Sequence, residues 1–189
     1  LPALQPSLAK DAEVSSTERN VFIYLVLYLI FSTFQFGLQL SAATLYPPDE
    51  EAMRWVRENT PDDSRFIVLT GATSVSCDSV MEWFPAISGR KSLFTVQGTE
   101  WTKGAGFNDY VRSTYGAQAC LSNSDVACLD GAASRADYDY LYVSKILRVN
   151  NCSPLAPQRE FPYFVESLKL DSGFDVVYET DGVLISRQK

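Results

Sequence analysis

Val21 to Phe34 reads VFIYLVLYLIFSTF and carries no charge. The uncharged stretch continues through Gln35, Phe36, Gly37, Leu38, Gln39 and Leu40 to Ala43. A helix over 21–43 has a length of about 34 Å, enough to cross a hydrocarbon core about 30 Å thick. Tyr24, Tyr28 and Tyr46 fall where interfacial aromatics sit. The expectation is one transmembrane helix, with the lipid bilayer as a partner. A buried helix of a soluble protein is the alternative. Gln35 and Gln39 lie four apart on one face, and such a face in a membrane usually meets other transmembrane helices rather than lipid.

The segment before this run, 1–20, mixes Pro, Ser, Ala and charges without periodicity and reads as a flexible leader or loop. No basic region precedes an early apolar stretch, so it does not read as a signal peptide. A first residue other than methionine points to a chain that was processed or cut from something longer.

The remainder, 46–189, is long enough for one domain with its own core. The chain holds no histidine, which removes histidine triads, histidine-bearing zinc sites and histidine general bases together. Its formal charge is -7 and no stretch is strongly basic, so nucleic acid is not an expected partner. All four cysteines, Cys77, Cys120, Cys128 and Cys152, follow the apolar run. An even number in one small domain suits an oxidising compartment, which places this domain extracytoplasmic and the N-terminus cytoplasmic. The few Lys and Arg flanking the run lean the same way. Cys120 and Cys128 bracket the short polar loop LSNSDVA, which makes a local disulfide plausible and leaves Cys77 with Cys152. Sequence does not choose among the three possible pairings, and a structural zinc site is disfavoured because no CxxC pair occurs.

Pro47-Pro48 starts a helix with Asp49, Glu50 and Glu51 in its first turn, where the helix dipole favours acids, and Pro61 ends it. Strands are expected at Arg65 to Thr70, Ser92 to Val96 and Tyr138 to Ser144. Helical segments are expected at Val80 to Phe84, Phe107 to Tyr115 and Phe161 to Leu170. Phe174 to Glu179 and Val183 to Arg187 flank Thr180-Asp181-Gly182, a hairpin turn of the Asp-Gly kind. The order predicts a layered α/β domain with a mixed sheet, parallel in its middle, and a C-terminal β-hairpin. There is no dinucleotide or P-loop fingerprint, and no cofactor is expected.

The segment Glu82 to Trp101, EWFPAISGRKSLFTVQGTEW, gathers the candidate ligand-binding residues Glu82, Trp83, Arg90, Glu100 and Trp101. Indole faces stack on sugar rings, carboxylates accept from hydroxyls, and a guanidinium fork suits phosphate or carboxylate. The structural alternative puts the tryptophans in the core and pairs Arg90 with Glu82 or Glu100. Asp78, Asp137 and Asp139 invite a metal reading, but Asp137-Tyr138-Asp139 has strand alternation, so a solvated face is favoured over a metal. Asn151-Cys152-Ser153 matches the N-x-S acceptor pattern, with a disulfide at Cys152 as a competitor.

MRWVRENTPDDSRFIVLTG (Met53 to Gly71) and the Glu82–Trp101 segment, placed after an apolar helix, resemble the C-terminal extracytoplasmic region of bacterial multi-spanning glycosyltransferases of the GT-C type, similar to the protein mannosyltransferase and lipid-linked sugar transferase families. VVYETDGVLISR is a weaker echo. The resemblance implies a non-catalytic C-terminal module of an enzyme that uses a polyprenyl-phosphate sugar. The catalytic acids of such enzymes lie in an early loop that this chain lacks. A single-span accessory subunit whose α/β head docks on a larger membrane complex is the second expectation. An independent hydrolase is disfavoured without histidine or a G-x-S-x-G motif.

Overall fold

The structure, a computed structural model, describes residues 16–41, 45–133, 137–147 and 158–189, with the side chains of 36–41 left aside. The chain divides into two units, Leu1–Ser41 and Ala42–Lys189.

In the first unit, α1 spans Ser16–Ser41. Its apolar side chains from Val21 to Phe31, and Phe34, are exposed. Ser32 and Thr33 return their hydroxyls to the carbonyls of Tyr28 and Leu29, both at 2.7 Å. This is how hydroxyl residues are accommodated within a helix. Among the described residues no helix is long and apolar enough to cross a membrane. The transmembrane helix expected over 21–43 is therefore not shown. Helix α1 ends at Ser41, and residues 42–43 of the expected span, with the side chains of 36–41, lie outside the described ones.

The second unit is mixed α/β. Helix α2 spans Pro47–Asn59, with two prolines at its start and the apolar positions Ala52, Met53 and Val56 buried at helical spacing. It stops where the Thr60 N–H and hydroxyl both turn back to the Val56 carbonyl. Strand β1 is Arg65–Leu69, α3 Ser79–Ser88, β2 Lys91–Ser92, α4 Glu100–Lys103, α5 Phe107–Ser122 and α6 Leu129–Ala132. Then come β3 at Tyr140–Ser144, β4 at Ile146–Leu147, β5 at Arg159–Glu160, α7 at Pro162–Leu170, β6 at Phe174–Glu179 and β7 at Val183–Gln188. The main sheet has the order β2-β1-β3-β7-β6, and β4 pairs with β5 in a small ribbon. Strands β2, β1 and β3 run parallel, while β7 is antiparallel to both β3 and β6. A mixed sheet, parallel in its middle and closed by a C-terminal hairpin, is the arrangement the strand order predicts.

Both faces of the central strands are buried, as parallel strands require. On one face Phe66 and Tyr142 meet Phe84 of α3 and Tyr140 stacks on Phe66, with ring centroids 4.8 to 5.4 Å apart. Helix α2 joins the same face through Trp55, whose ring lies 4.9 Å from Tyr178. The other face, Ile67, Leu69, Leu141 and Val143, is equally buried. Helices α5 and α7, which contact β1 and β6, bring their own buried apolar faces. Each fully buried Phe, Leu or Met contributes roughly 1.5–3 kcal/mol.

Three expectations need correction. The strand expected at Ser92 to Val96 is a strand only over Lys91–Ser92, because the chain then turns with Phe94 and Val96 folded inward. The short helices expected at Val80 to Phe84 and Phe107 to Tyr115 extend to Ser88 and Ser122. Pro85 lies inside α3 and cannot donate to the Met81 carbonyl one turn back, which accepts the Thr95 hydroxyl at 3.0 Å instead. Asp49 is also more than a dipole partner. It is buried, and its Oδ1 accepts the hydroxyls of Tyr142 at 3.0 Å and Ser144 at 3.1 Å. It thereby ties the start of α2 to the central strand.

Cys120 and Cys128 form a disulfide, closing the turn between α5 and α6 as their spacing suggested. Cys77 is disulfide-bonded too. Cys152, its expected partner, and the Asn151 acceptor pattern lie outside the described residues.

Candidate functional site

Helix α3 begins at Asp78, whose Oδ1 accepts the N–H groups of Val80 at 3.0 Å and Met81 at 3.3 Å. This is an aspartate N-cap. Its Oδ2 accepts the hydroxyl of Thr70, the first residue beyond β1. The carboxyl is buried, and that burial pushes it up to about 6 against the opposing pull of the Thr70 and backbone hydrogen bonds. The polar cluster at the end of β1 is completed by Gln118 of α5, which hydrogen-bonds Val68, Thr70 and Gly71. None of this forms a metal site: among the described residues no group of three His, Cys, Asp or Glu side chains could hold an ion.

Ligands of open α/β sheets favour the crevice beyond the carboxyl ends of strands at a switch point. Here that point lies between β1 and β3, since β2 and β3 flank β1 on opposite sides. Phe161 occupies it. Its N–H donates to the Lys145 carbonyl at 3.0 Å. Its ring lies so close to Gly71, at φ +71°, that a Cβ there collides with it. Glycine serves that position twice, for its backbone angle and for its lack of a side chain.

The candidate residues of the Glu82–Trp101 segment separate into two groups. Arg90 is buried, and its guanidinium is committed to the frame. Nη2 donates to the carbonyls of Arg57 at 2.8 Å and Thr60 at 2.7 Å, and Nε donates to the Thr60 hydroxyl at 3.1 Å. Nη1 reaches the Ser88 carbonyl and lies 2.9 Å from Asp62. A cation here satisfies the carbonyl ends of both α2 and α3. The carboxylate on Arg90 is thus Asp62, not Glu82 or Glu100, because the chain reverses at Gly89 (φ +67°) and carries Arg90 back to the end of α2.

The other four face solvent. Glu82 and Glu100 are exposed, Trp83 is 47% exposed and Trp101 is 91% exposed. Trp101 stands on α4, and the linker from β2 to α4 is fastened. Thr95 donates its hydroxyl to the Met81 carbonyl at 3.0 Å, Gln97 donates to the Val75 carbonyl at 3.0 Å, and the Tyr110 hydroxyl donates to the Thr95 carbonyl at 2.8 Å. Lys103 lies 4.7 Å from the centre of the Tyr110 ring. The α4 indole is therefore presented from an ordered support. Two indoles and two carboxylates of the segment are thus open to solvent, while Arg90 is not.

Asp137 is exposed, and Asp139 pairs with Arg65. Nothing in the sequence singles out Gln118, because its partners Val68, Thr70 and Gly71 are distant in the chain.

No known protein family matches the chain, and no curated protein matches it. Among solved structures the chain is similar to the C-terminal globular domain of an oligosaccharyltransferase from Archaeoglobus fulgidus, with a TM-score of 0.43 and 13% identity, covering 77% of this chain and 100% of that one.

Proposed function

We propose that this chain is a non-catalytic, extracytoplasmic module of a multi-spanning glycosyltransferase that uses a polyprenyl-phosphate sugar, and that it helps shape the donor or acceptor cleft. The motifs at Met53–Gly71 and Glu82–Trp101 support the family. The uncharged, exposed stretch Val21–Phe34 of α1 supports an anchor in the cell membrane among further transmembrane helices. The observation that carries the ligand reading is Trp101, an indole 91% exposed on an ordered support. Such a ring offers a stacking face to a sugar. Trp83, Glu82 and Glu100 supply a second face and hydroxyl acceptors, while Arg90 ties the ends of α2 and α3. In the full-length enzyme, Trp101→Ala should lower turnover or substrate affinity by about 2- to 13-fold, the worth of one ring contact of about 0.5–1.5 kcal/mol, with an unchanged melting temperature. Normal activity in the folded variant overturns the reading.

A second reading, an accessory head docked on a larger membrane complex, is favoured by α7. Its Tyr163 and Leu170 are each 77% exposed and lie seven residues apart on one face. Tyr163→Ser with Leu170→Ser should then reduce the size of the detergent-solubilised assembly while activity loss at Trp101 is absent.

A further inference from the structure

Thr70, Asp78 and Gln118 form a chain of hydrogen bonds between the end of β1, the start of α3 and the body of α5. They are 3%, 5% and 2% exposed, so other protein groups must satisfy their polar atoms. Both ends of the chain are oriented. Gln118 Nε2 donates to the Val68 carbonyl, and its Oε1 accepts the N–H groups of Thr70 and Gly71, all at 2.9 Å. That amide cannot flip without losing all of these bonds. Asp78 Oδ1 faces the N–H groups of Val80 and Met81, two donors that leave no room for a proton. A proton on this carboxyl therefore belongs on Oδ2, which faces the Thr70 hydroxyl.

Thr70 stands between them with one hydroxyl proton and two acceptors in reach, Asp78 Oδ2 and, at 3.3 Å, Gln118 Oε1. Its oxygen also accepts the Ala72 N–H at 3.2 Å. With the carboxyl ionised, the hydroxyl donates to Asp78. With Oδ2 protonated, the carboxyl is the donor. The Thr70 oxygen then takes that bond on its second lone pair, and its own proton turns to Gln118. Every donor has an acceptor in both arrangements, so neither leaves an orphaned buried group. Gln118 Oε1 holds two donors in the first arrangement and a third in the second.

Burial pushes the Asp78 carboxyl up to about 6, and Asp49 at the start of α2 adds to the rise, against the Thr70 and backbone hydrogen bonds. Tyr142 of β3 also feels the charge of Asp78, and burial holds that phenol neutral well above its usual value. Neighbouring Cys77 is disulfide-bonded and does not titrate.

We propose that Thr70 is a proton-operated hydrogen-bond switch, its hydroxyl turned to Asp78 when that carboxyl is ionised and to Gln118 when it is protonated, so that proton uptake at the start of α3 is transmitted to α5 and to the Gly71 N–H. The switch does not depend on the sugar-binding reading of Trp101.

Nuclear magnetic resonance of the isotope-labelled, detergent-solubilised full chain, titrated from about pH 4 to about pH 8, tests this. The backbone amides of Val80 and Met81 report ionisation of Asp78, and the Gln118 side-chain amide and the Gly71 amide report the far end. All should shift with one midpoint at about 6. Asp78→Asn puts an amide nitrogen, a donor at every pH, where Oδ2 stood. Its Gln118 and Gly71 signals should stay at the parent's acid positions throughout. In Thr70→Val the Val80 and Met81 amides should still titrate, at a higher midpoint because the ionised carboxyl has lost a donor, while Gln118 no longer responds. Thr70→Ser should restore that response. If Thr70→Val does not fold, Asp78→Asn decides alone. Shifts at Val80 and Met81 without one at Gln118, Asp78→Asn signals at the parent's alkaline positions, a Gln118 response of full size in Thr70→Val, or no titration at any of these amides overturns the proposal.

Discussion

The Gln118 side chain accepts the Thr70 N–H at 2.9 Å and stands where a neighbouring strand would otherwise continue. Strand β2 pairs with β1 only at Arg65 and Phe66, and the Leu93 N–H closes that ladder on the Phe66 carbonyl. Farther along, the groups of β1 that point to the same side are the Val68 carbonyl and the Thr70 N–H. The amide of Gln118 meets both, donating to the first at 2.9 Å. It accepts the Gly71 N–H at 2.9 Å as well. One side chain thus replaces two ladder bonds where β2 turns away and also holds the Gly71 N–H beyond them.

Gln118→Ala should strand those three backbone groups in a buried site. Each orphaned group costs about 1–3 kcal/mol, so a total loss of about 3–5 kcal/mol is expected. Urea unfolding followed by far-ultraviolet dichroism, with disulfides intact, reads the shift in midpoint. A loss under about 1 kcal/mol shows that water or a local shift replaces the amide.

Asp78 makes stability fall with pH. Its ordinary value is 3.8, and burial raises it to about 6 in the folded protein. Below about pH 4 the carboxyl is protonated in both states and its stabilising contribution is whole; between about pH 4 and 6 the unfolded chain ionises first, so the folded state holds the extra proton and stability is lost as pH rises. A shift of about two units corresponds to about 3 kcal/mol. Asp78→Asn keeps an N-cap acceptor and removes this dependence. Subtracting the variant's unfolding free energy from the parent's at pH 4, 5, 6 and 7 should give a difference that declines and then levels. A flat difference means that Asp78 titrates alike in both states.

Arg90 and Asp62 form one ion pair with unequal worth. The arginine side chain is 6% exposed and the aspartate 98%. Arg90→Ala leaves the carbonyls of Arg57 and Thr60 without their donor and should cost about 2–4 kcal/mol. Asp62→Ala removes a solvent-screened partner and should stay within about 0.5 kcal/mol. Thermal unfolding of both variants measures the contrast. Equal losses show that the pair itself, rather than the helix-end contacts, holds the arginine.

What the sequence by itself determined is the set of elements whose signals are local. The prolines at 47, 48 and 61 bound α2, the β-branched and aromatic runs mark β1 and β3, and Asp181-Gly182 turns the last hairpin. The same local logic placed the Cys120–Cys128 bridge across a short turn. The tertiary structure alone decided what depends on neighbours distant in the chain. SLFTV has strand composition, yet Gln118 takes its place on the ladder and the segment turns. Glu82, Arg90 and Trp101 read alike as polar or amphipathic residues of one loop, yet Gly89 folds Arg90 under two helix ends while Trp101 is left in solvent. Propensity and periodicity are properties of adjacent residues. Which side chain satisfies a given buried carbonyl, and which indole stays uncovered, depends on where folding brings residues together that the sequence keeps far apart.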